Sequence, residues 1–242
     1  MDQGLAGNLA AVRRRVAAAA RAADRDPDEV RVLLAVKTQT PETVRAVVEV
    51  GADLLGHNRA QELAATGPVL SEADVPAHEM HFIGHLQSNK INQVLRWSSC
   101  VQTVDSLRLA EKLDAAVARR AGDEEPEPLD VMVQVNTSGE KTKTGVGPAE
   151  GVELASAVGA LPRLRLRGLM TIGANSTEER LVRASYDVLT GLRSDVLDSG
   201  APGTAEAREL SMGMSSDLEI AVAAGATMVR VGTAVFGARP GA

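Results

Sequence analysis

Lys37 closes the apolar run Val30–Lys37, a place where an amine can do carbonyl chemistry. Loss of solvation disfavours an ammonium ion, and the neutral fraction can attack an aldehyde. A rim lysine that snorkels its charge into water is the other use of such a position. Lysine is scarce in this chain: only Lys37, Lys90, Lys112, Lys141 and Lys143 are found among 26 basic residues, so one placed after an apolar strand is less easily filler. Alternate residues of a strand share a face, which groups Lys37 with Leu33 and Ala35 and sets Val32, Leu34 and Val36 toward the other side.

Two later runs could hold a phosphate. In LSMGMSSDL, Ser215 and Ser216 lie in a small-residue turn ahead of a helical pattern; in VRVGTAVFG, Gly232 and Thr233 follow a strand directly. Backbone N–H groups at such ends, with the helix dipole, bind anions. Taken singly, Ser215 reads as a helix cap and Gly232 as a tight turn. Together, after the last two predicted strands, they favour a phosphate cup. Arg230 shares a strand face with Gly232, and a closed barrel would set the last strand beside the first. Pyridoxal 5′-phosphate offers an aldehyde for Lys37, a phosphate for the cup and a ring nitrogen for Arg230. Arginine does not readily give up its proton, so a ring nitrogen facing it stays unprotonated and the electron sink is weak. Such a site holds the cofactor but transaminates poorly.

These residues need strand ends to carry them. The predicted strands are Val30–Lys37, Asp53–Asn58, His81–Gly84, Cys100–Asp105, Asp130–Asn136, Leu164–Met170, Glu209–Met212 and Met228–Gly232. Helical patterns begin near Pro41, Arg59, Asn89, Ser106, Pro148, Thr177 and Ser215. This alternation predicts an α/β fold, a single (β/α)8 TIM barrel spanning 1–242, with chemistry at the carboxyl ends of the strands. Leu5, Leu9, Val12 and Val16 recur at helical spacing and predict an additional N-terminal helix. A doubly wound sheet would carry a glycine fingerprint at its first βα turn, where Thr38-Gln39-Thr40-Pro41 stands. Gly145-Val146-Gly147 has the wrong spacing for it and reads as a loop, as does the Pro/Glu-rich stretch 122–128.

Composition narrows the partners. Net charge is −6, so no basic field draws nucleic acid or anionic lipid, and the two Phe, one Trp and one Tyr are too few for base-stacking platforms. No apolar run is long enough for a membrane span, and the arginines near the start follow the apolar residues, unlike a secretory signal. The lone cysteine, Cys100, favours a reducing cytoplasm.

The runs AVKTQTPETV, GHNRAQEL, HFIGHLQSNK, VQTVDSLRLAEKL, VQVNTSGEKTKTGV, RGLMTIG and LSMGMSSDLEIAVAAGATMVRVGTAVFGAR resemble, in matching order, the pyridoxal phosphate homeostasis protein family, also called the proline synthase co-transcribed family. The resemblance covers nearly the whole chain. It implies a barrel similar to the N-terminal domain of alanine racemase, with pyridoxal phosphate on Lys37. It further implies that Ser215, Gly232 and Thr233 hold the phosphate, that Arg230 faces the ring nitrogen and that Asn58 lies beside the cofactor. Val36, His57 and Thr144 depart from the family's common pattern.

Two functions follow. The first is a protein that stores, buffers or delivers pyridoxal phosphate, with apoenzymes as recipients, and acts as a monomer. The second is a racemase or other amino-acid enzyme, which needs a base on each face of its substrate. The tyrosine that serves in alanine racemase comes from a further β domain; Tyr186 lies in a helical pattern and reads as packing, leaving His81, His85 or a partner chain to supply that base. His78, His81 and His85 cluster, but the odd spacing of the first two on a strand parts them, so no metal site is expected. Lys143 is a second amine that could take the aldehyde during handover, or a solvated loop residue; Arg167 reads as structural.

Overall fold

The structure, a computed structural model, describes residues 2–122, 124–140 and 142–237. Its parallel strands close into a barrel with each strand beside the next and the eighth beside the first. They are β1 (Arg31–Ala35), β2 (Leu54–His57), β3 (Glu79–Phe82), β4 (Cys100–Val104), β5 (Leu129–Gln134), β6 (Leu164–Met170), β7 (Glu209–Ser211) and β8 (Met228–Val231). Among the described residues the helices are α1 (Asp2–Ala22), α2 (Pro41–Glu49), α3 (Ala60–Leu70), α4 (Ile91–Leu95), α5 (Leu107–Ala121), α6 (Gly151–Gly159), α7 (Glu179–Asp198), α8 (Leu218–Ala223) and α9 (Thr233–Phe236). The (β/α)8 barrel with an N-terminal helix is the architecture that the sequence predicts. Residues 1, 123, 141 and 238–242 of the expected span 1–242 lie outside the described residues.

Local chemistry sets several starts. Thr40 caps α2 by accepting from the Thr43 N–H, with Pro41 in the first turn, and Ser106 caps α5 by accepting from the Leu109 N–H. Strand residues then divide by parity. Leu34, Leu55, Val101, Val131, Leu166 and Val229 pack in the large core shared with the helices, while Leu33, Leu54 and Met228 form a separate cluster within the barrel. Gly56 is inward too: a Cβ there would stand 2.3 Å from Leu33 Cδ2.

The stripe Leu5, Leu9, Val12 and Val16 is buried, as its spacing predicts. Asn8 Nδ2 donates to the Val235 carbonyl at 2.9 Å, and Arg15 pairs with Glu219 at 2.8 Å while donating to the Ser215 carbonyl at 3.1 Å. The extra helix therefore braces α8, α9 and the loop after β7. Several boundaries differ from expectation, among them β3, which runs Glu79–Phe82 where His81–Gly84 is predicted. The first strand ends at Ala35, because Lys37 and Thr38 already turn away from the sheet, and the helix expected near Thr177 begins at Glu179. Among the described residues no helix is long and apolar enough to cross a membrane.

His57 ends β2 on the helix side, opposite in parity to Gly56; it is 1% exposed and neither ring nitrogen has a hydrogen-bond partner. Burial lowers its pKa from 6.5 to about 4. The unfolded chain thus binds a proton near pH 6.5 that the folded chain refuses until about pH 4, so stability falls as pH drops through that window. We expect wild type to lose about 2 kcal/mol more than His57→Leu between pH 7 and 4.5 in urea titrations. Parallel losses in the two proteins would refute this assignment.

Candidate functional site

The ends of β1, β2 and β8 meet at one rim. Ala35 pairs with Gly56, and the Val36 N–H donates to the Gly56 carbonyl at 3.0 Å. Lys37 follows two residues after Ala35 and Asn58 two after Gly56, so both leave the barrel at this rim. On the other flank Leu34 pairs with Val231, and a Cβ on Gly232 would stand 3.1 Å from the Ala35 carbonyl oxygen. Lys37 is half-buried between these strands. Asn58 Oδ1 is buried without a hydrogen-bond partner. Immediately after Lys37 the chain bends sharply: Thr38 has φ 68°, and its hydroxyl donates to the Lys37 carbonyl at 2.5 Å. A β-branched residue in the left-handed region carries strain of about 1–3 kcal/mol, which the surrounding barrel sustains.

The residues expected to form an anion cup lie on the β8 side of this rim. Ser215 Oγ accepts from the Gly232 N–H at 3.3 Å and the Ala234 N–H at 3.4 Å, with Thr233 exposed between them. Ser215 Oγ is the point on which both backbone donors converge, and its own hydroxyl hydrogen is left to give outward. Ser215 does not begin a helix as the sequence predicts. Asp217 Oδ1 accepts from the Met214 N–H at 2.6 Å, which closes a turn over 214–217, and α8 starts only at Leu218. The other carboxylate oxygen accepts from the Tyr186 hydroxyl at 2.9 Å. Burial first, then the Asp217 charge, pushes that phenol far above its ordinary range, so it remains a donor. Tyr186 is fully buried packing, as expected, and it also anchors the cup's turn.

Arg230 points into the barrel one layer below. Its partner on β1 is Leu33; Nη1 donates to Ser211 Oγ at 2.9 Å and Nη2 to the Thr171 carbonyl at 2.6 Å. Burial lowers its pKa to about 10, against the pull of Tyr186 and Asp217, so it stays a cation at neutral pH. A guanidinium has five N–H donors, more than these two uncharged acceptors take up, which fits an acceptor above it such as a pyridine nitrogen. Ser211, Thr171, Asp217 and Gln102 were missed in the sequence reading. The signal for Ser211 and Gln102 was a polar residue at an inward position of an apolar strand.

Other candidates fall elsewhere. His81 is buried low in the barrel, with Nε2 3.2 Å from Glu79 and Nδ1 2.8 Å from Gln102, away from the Lys37 rim. His85 is 58% exposed beside Asp105, and His78 Nδ1 lies 2.8 Å from the Pro76 carbonyl. Among the described residues no group of three or more His, Cys, Asp or Glu could hold a metal. Lys143 is not a solvated loop residue: it donates to Glu140 and to the Gly173 carbonyl, both at 2.5 Å, tying the loops after β5 and β6 together. A cleft of about 860 Å³ opens at the amino-terminal ends of the strands. It is lined by the pairs Arg31–Glu79 at 2.7 Å and Arg167–Glu209 at 3.5 Å, where barrels invest in stability.

The barrel and its rim define a class. The family described as alanine racemase, N-terminal domain, matches residues 7–240. The pyridoxal phosphate homeostasis protein of Pseudomonas aeruginosa is 42% identical over 238 residues, covering 97% of this chain and 96% of the relative. That of Escherichia coli K12 is 39% identical over 244 residues, covering 97% of each. The structure of PipY from Synechococcus elongatus PCC7942 with pyridoxal phosphate bound superposes with a TM-score of 0.80 at 29% identity, over 96% of this chain and 100% of that one. The chain therefore belongs to the alanine racemase N-terminal domain family and, within it, to the pyridoxal phosphate homeostasis proteins.

Replacing Tyr186 by Phe leaves a buried Asp217 oxygen short of a donor. We expect a stability loss of roughly 1–3 kcal/mol in denaturant titrations, with faster amide exchange at Met214. A loss below about 0.5 kcal/mol would remove the anchoring role.

Proposed function

We propose that this chain binds pyridoxal 5′-phosphate as a Schiff base on Lys37 and serves vitamin B6 homeostasis by storing, buffering or delivering it. The observation that carries this reading is the meeting of one amine, one hydroxyl-and-amide cup and one buried guanidinium at neighbouring strand ends. In the proposed complex the Lys37 nitrogen attacks the aldehyde carbon, a C=N bond forms and water leaves. Ser215, Gly232 and Thr233, with the Ala234 N–H, hold the phosphate. Arg230 donates to the ring nitrogen, and Asn58 lies beside the ring. The names of the curated relatives and the ligand in PipY support this reading.

When bound, the cofactor supplies an electrophilic imine and an electron sink. Arg230 weakens the sink by donating a proton to the ring nitrogen without releasing it. A racemase would need a second base opposite Lys37. Tyr186 is locked onto Asp217 and His81 lies deep beside Glu79, so the geometry favours carriage over turnover. The chain acts in this reading as a monomer that passes its cargo to apoenzymes, with Lys143 as a second amine that the aldehyde visits once its tie to Glu140 opens.

Absorption spectra before and after borohydride, followed by peptide mapping, test the linkage. The expected result is a visible band lost on reduction, a pyridoxyl mass on Lys37, none in Lys37→Ala, and no amino-acid turnover. A pyridoxyl mass at another lysine in wild type refutes the site; turnover abolished in Lys37→Ala refutes the carrier. Removing the Lys143 amine should slow transfer to an apoenzyme, and an unchanged rate would remove that residue from the handover.

A further inference from the structure

A chain of buried hydrogen bonds descends from Arg230 through the middle of the barrel. Arg230 Nη1 donates to Ser211 Oγ at 2.9 Å, and the Ser211 hydroxyl donates to Gln102 Oε1 at 2.7 Å. Gln102 Nε2 lies 2.8 Å from His81 Nδ1, His81 Nε2 lies 3.2 Å from Glu79 Oε2, and Arg31 donates to the other Glu79 oxygen at 2.7 Å. Ser211, Gln102 and His81 are 0%, 0% and 4% exposed. All occupy inward positions, at the same parity as Glu79 on β3 and Met228 on β8.

The polarity of this chain follows from its lower end. Glu79 is held well down the carboxylate range, to about 2, chiefly by His81 and then by Arg31, so at neutral pH it only accepts. Gln102 Nε2 can only donate, so His81 Nδ1 accepts, and the ring presents its N–H to Glu79 from Nε2. The Gln102 carbonyl then faces Ser211. The Ser211 hydrogen is thereby committed downward and its lone pairs upward, toward Arg230. Reversing Gln102 would set two acceptors against each other at His81, in surroundings where each lost bond is expensive. Every donor therefore points from the Lys37 rim toward the amino-terminal end.

We propose that Ser211, Gln102 and His81 are positioning residues that fix the Arg230 guanidinium as a donor toward the cofactor's ring nitrogen, with Glu79 setting the direction of the chain. This rests on the cofactor reading given above. Ser211 and the Thr171 carbonyl together hold the plane of the guanidinium. The remaining N–H groups are left for a ligand, and the rigid chain beneath prevents Arg230 from turning to seek other acceptors.

The test uses full-length protein loaded with pyridoxal phosphate labelled with ¹⁵N in the ring, in wild type, Ser211→Ala and Gln102→Leu. Pyridoxyl mapping to Lys37 is done on every sample. We expect the ring ¹⁵N signal to be displaced in both variants, with Lys37 still modified and cofactor retention weakened about tenfold. Loading should also move the His81 imidazole ¹⁵N signals in wild type and leave them still in Gln102→Leu. Should one variant fail to fold, the other decides. A wild-type ring signal in the folded variants, with Lys37 modified, overturns the relay and leaves the cofactor reading standing, as do His81 signals that ignore loading in wild type. Absence of a Lys37 adduct in wild type overturns both.

Discussion

The closure of β8 onto β1 is the constraint from which the site follows. The register that pairs Leu33 with Arg230 and Leu34 with Val231 places the end of β8 beside the end of β1. Gly232 then passes close to the Ala35 carbonyl, and the N–H groups after it reach Ser215 from the preceding unit. A slip of one residue would turn Arg230 outward into the helix layer and send Leu33 the wrong way as well. Barrel closure, a hydrophobic and hydrogen-bonding problem, therefore solves a chemical one: it gathers residues about two hundred positions apart in sequence.

The interior that results is not uniformly apolar. Leu33, Leu54 and Met228 fill one part of it and Cys100, Met132 and Met170 another. Between them run Arg230, Ser211, Gln102 and His81, each buried and each hydrogen-bonded. A buried cation without solvent is tolerable only with several oriented acceptors, and Arg230 finds a hydroxyl and a carbonyl. A second polar set fixes the turn that carries Ser215: Tyr186 holds Asp217 and Asp217 holds the turn. From outside, α1 adds the Arg15 bond to the Ser215 carbonyl. The loop after β7 is thus pinned on both sides.

The sequence made the strand order, the additional helix and Lys37 legible, because period-two and helical patterns report burial directly and a lysine after an apolar strand is conspicuous. Gly232 and Ser215 were legible as small residues in turns, although the start of α8 was not, since a side-chain bond from Asp217 to Met214 postpones it. What stayed hidden depends on long-range partners. Ser211 and Gln102 are separated by 109 residues, and Tyr186 and Asp217 by 31, so no local spacing announces either bond. His81 looked like a base near the mouth, but parity fixes only which side of the strand it faces. Its ring is turned down to Glu79 and across to Gln102, bonds that the strand pattern does not announce.

On the reading proposed for this chain, holding a cofactor and transforming a substrate make opposite demands on the same rim. Transamination needs a strong electron sink with a protonated ring nitrogen, and racemisation needs a base poised across from the amine. Here the group beneath the ring is a guanidinium kept cationic, and the chain's one tyrosine is bonded to a carboxylate in the packed layer outside the barrel. Carriage needs an amine able to form and release an imine, a cup that grips the phosphate without chemistry, and an open face for the cargo to leave. The left-handed bend at Thr38, directly after Lys37, turns the chain away from the sheet at the rim where the half-buried lysine sits. That placement suits reversible capture, because water and an incoming amine can both reach the C=N carbon from the rim.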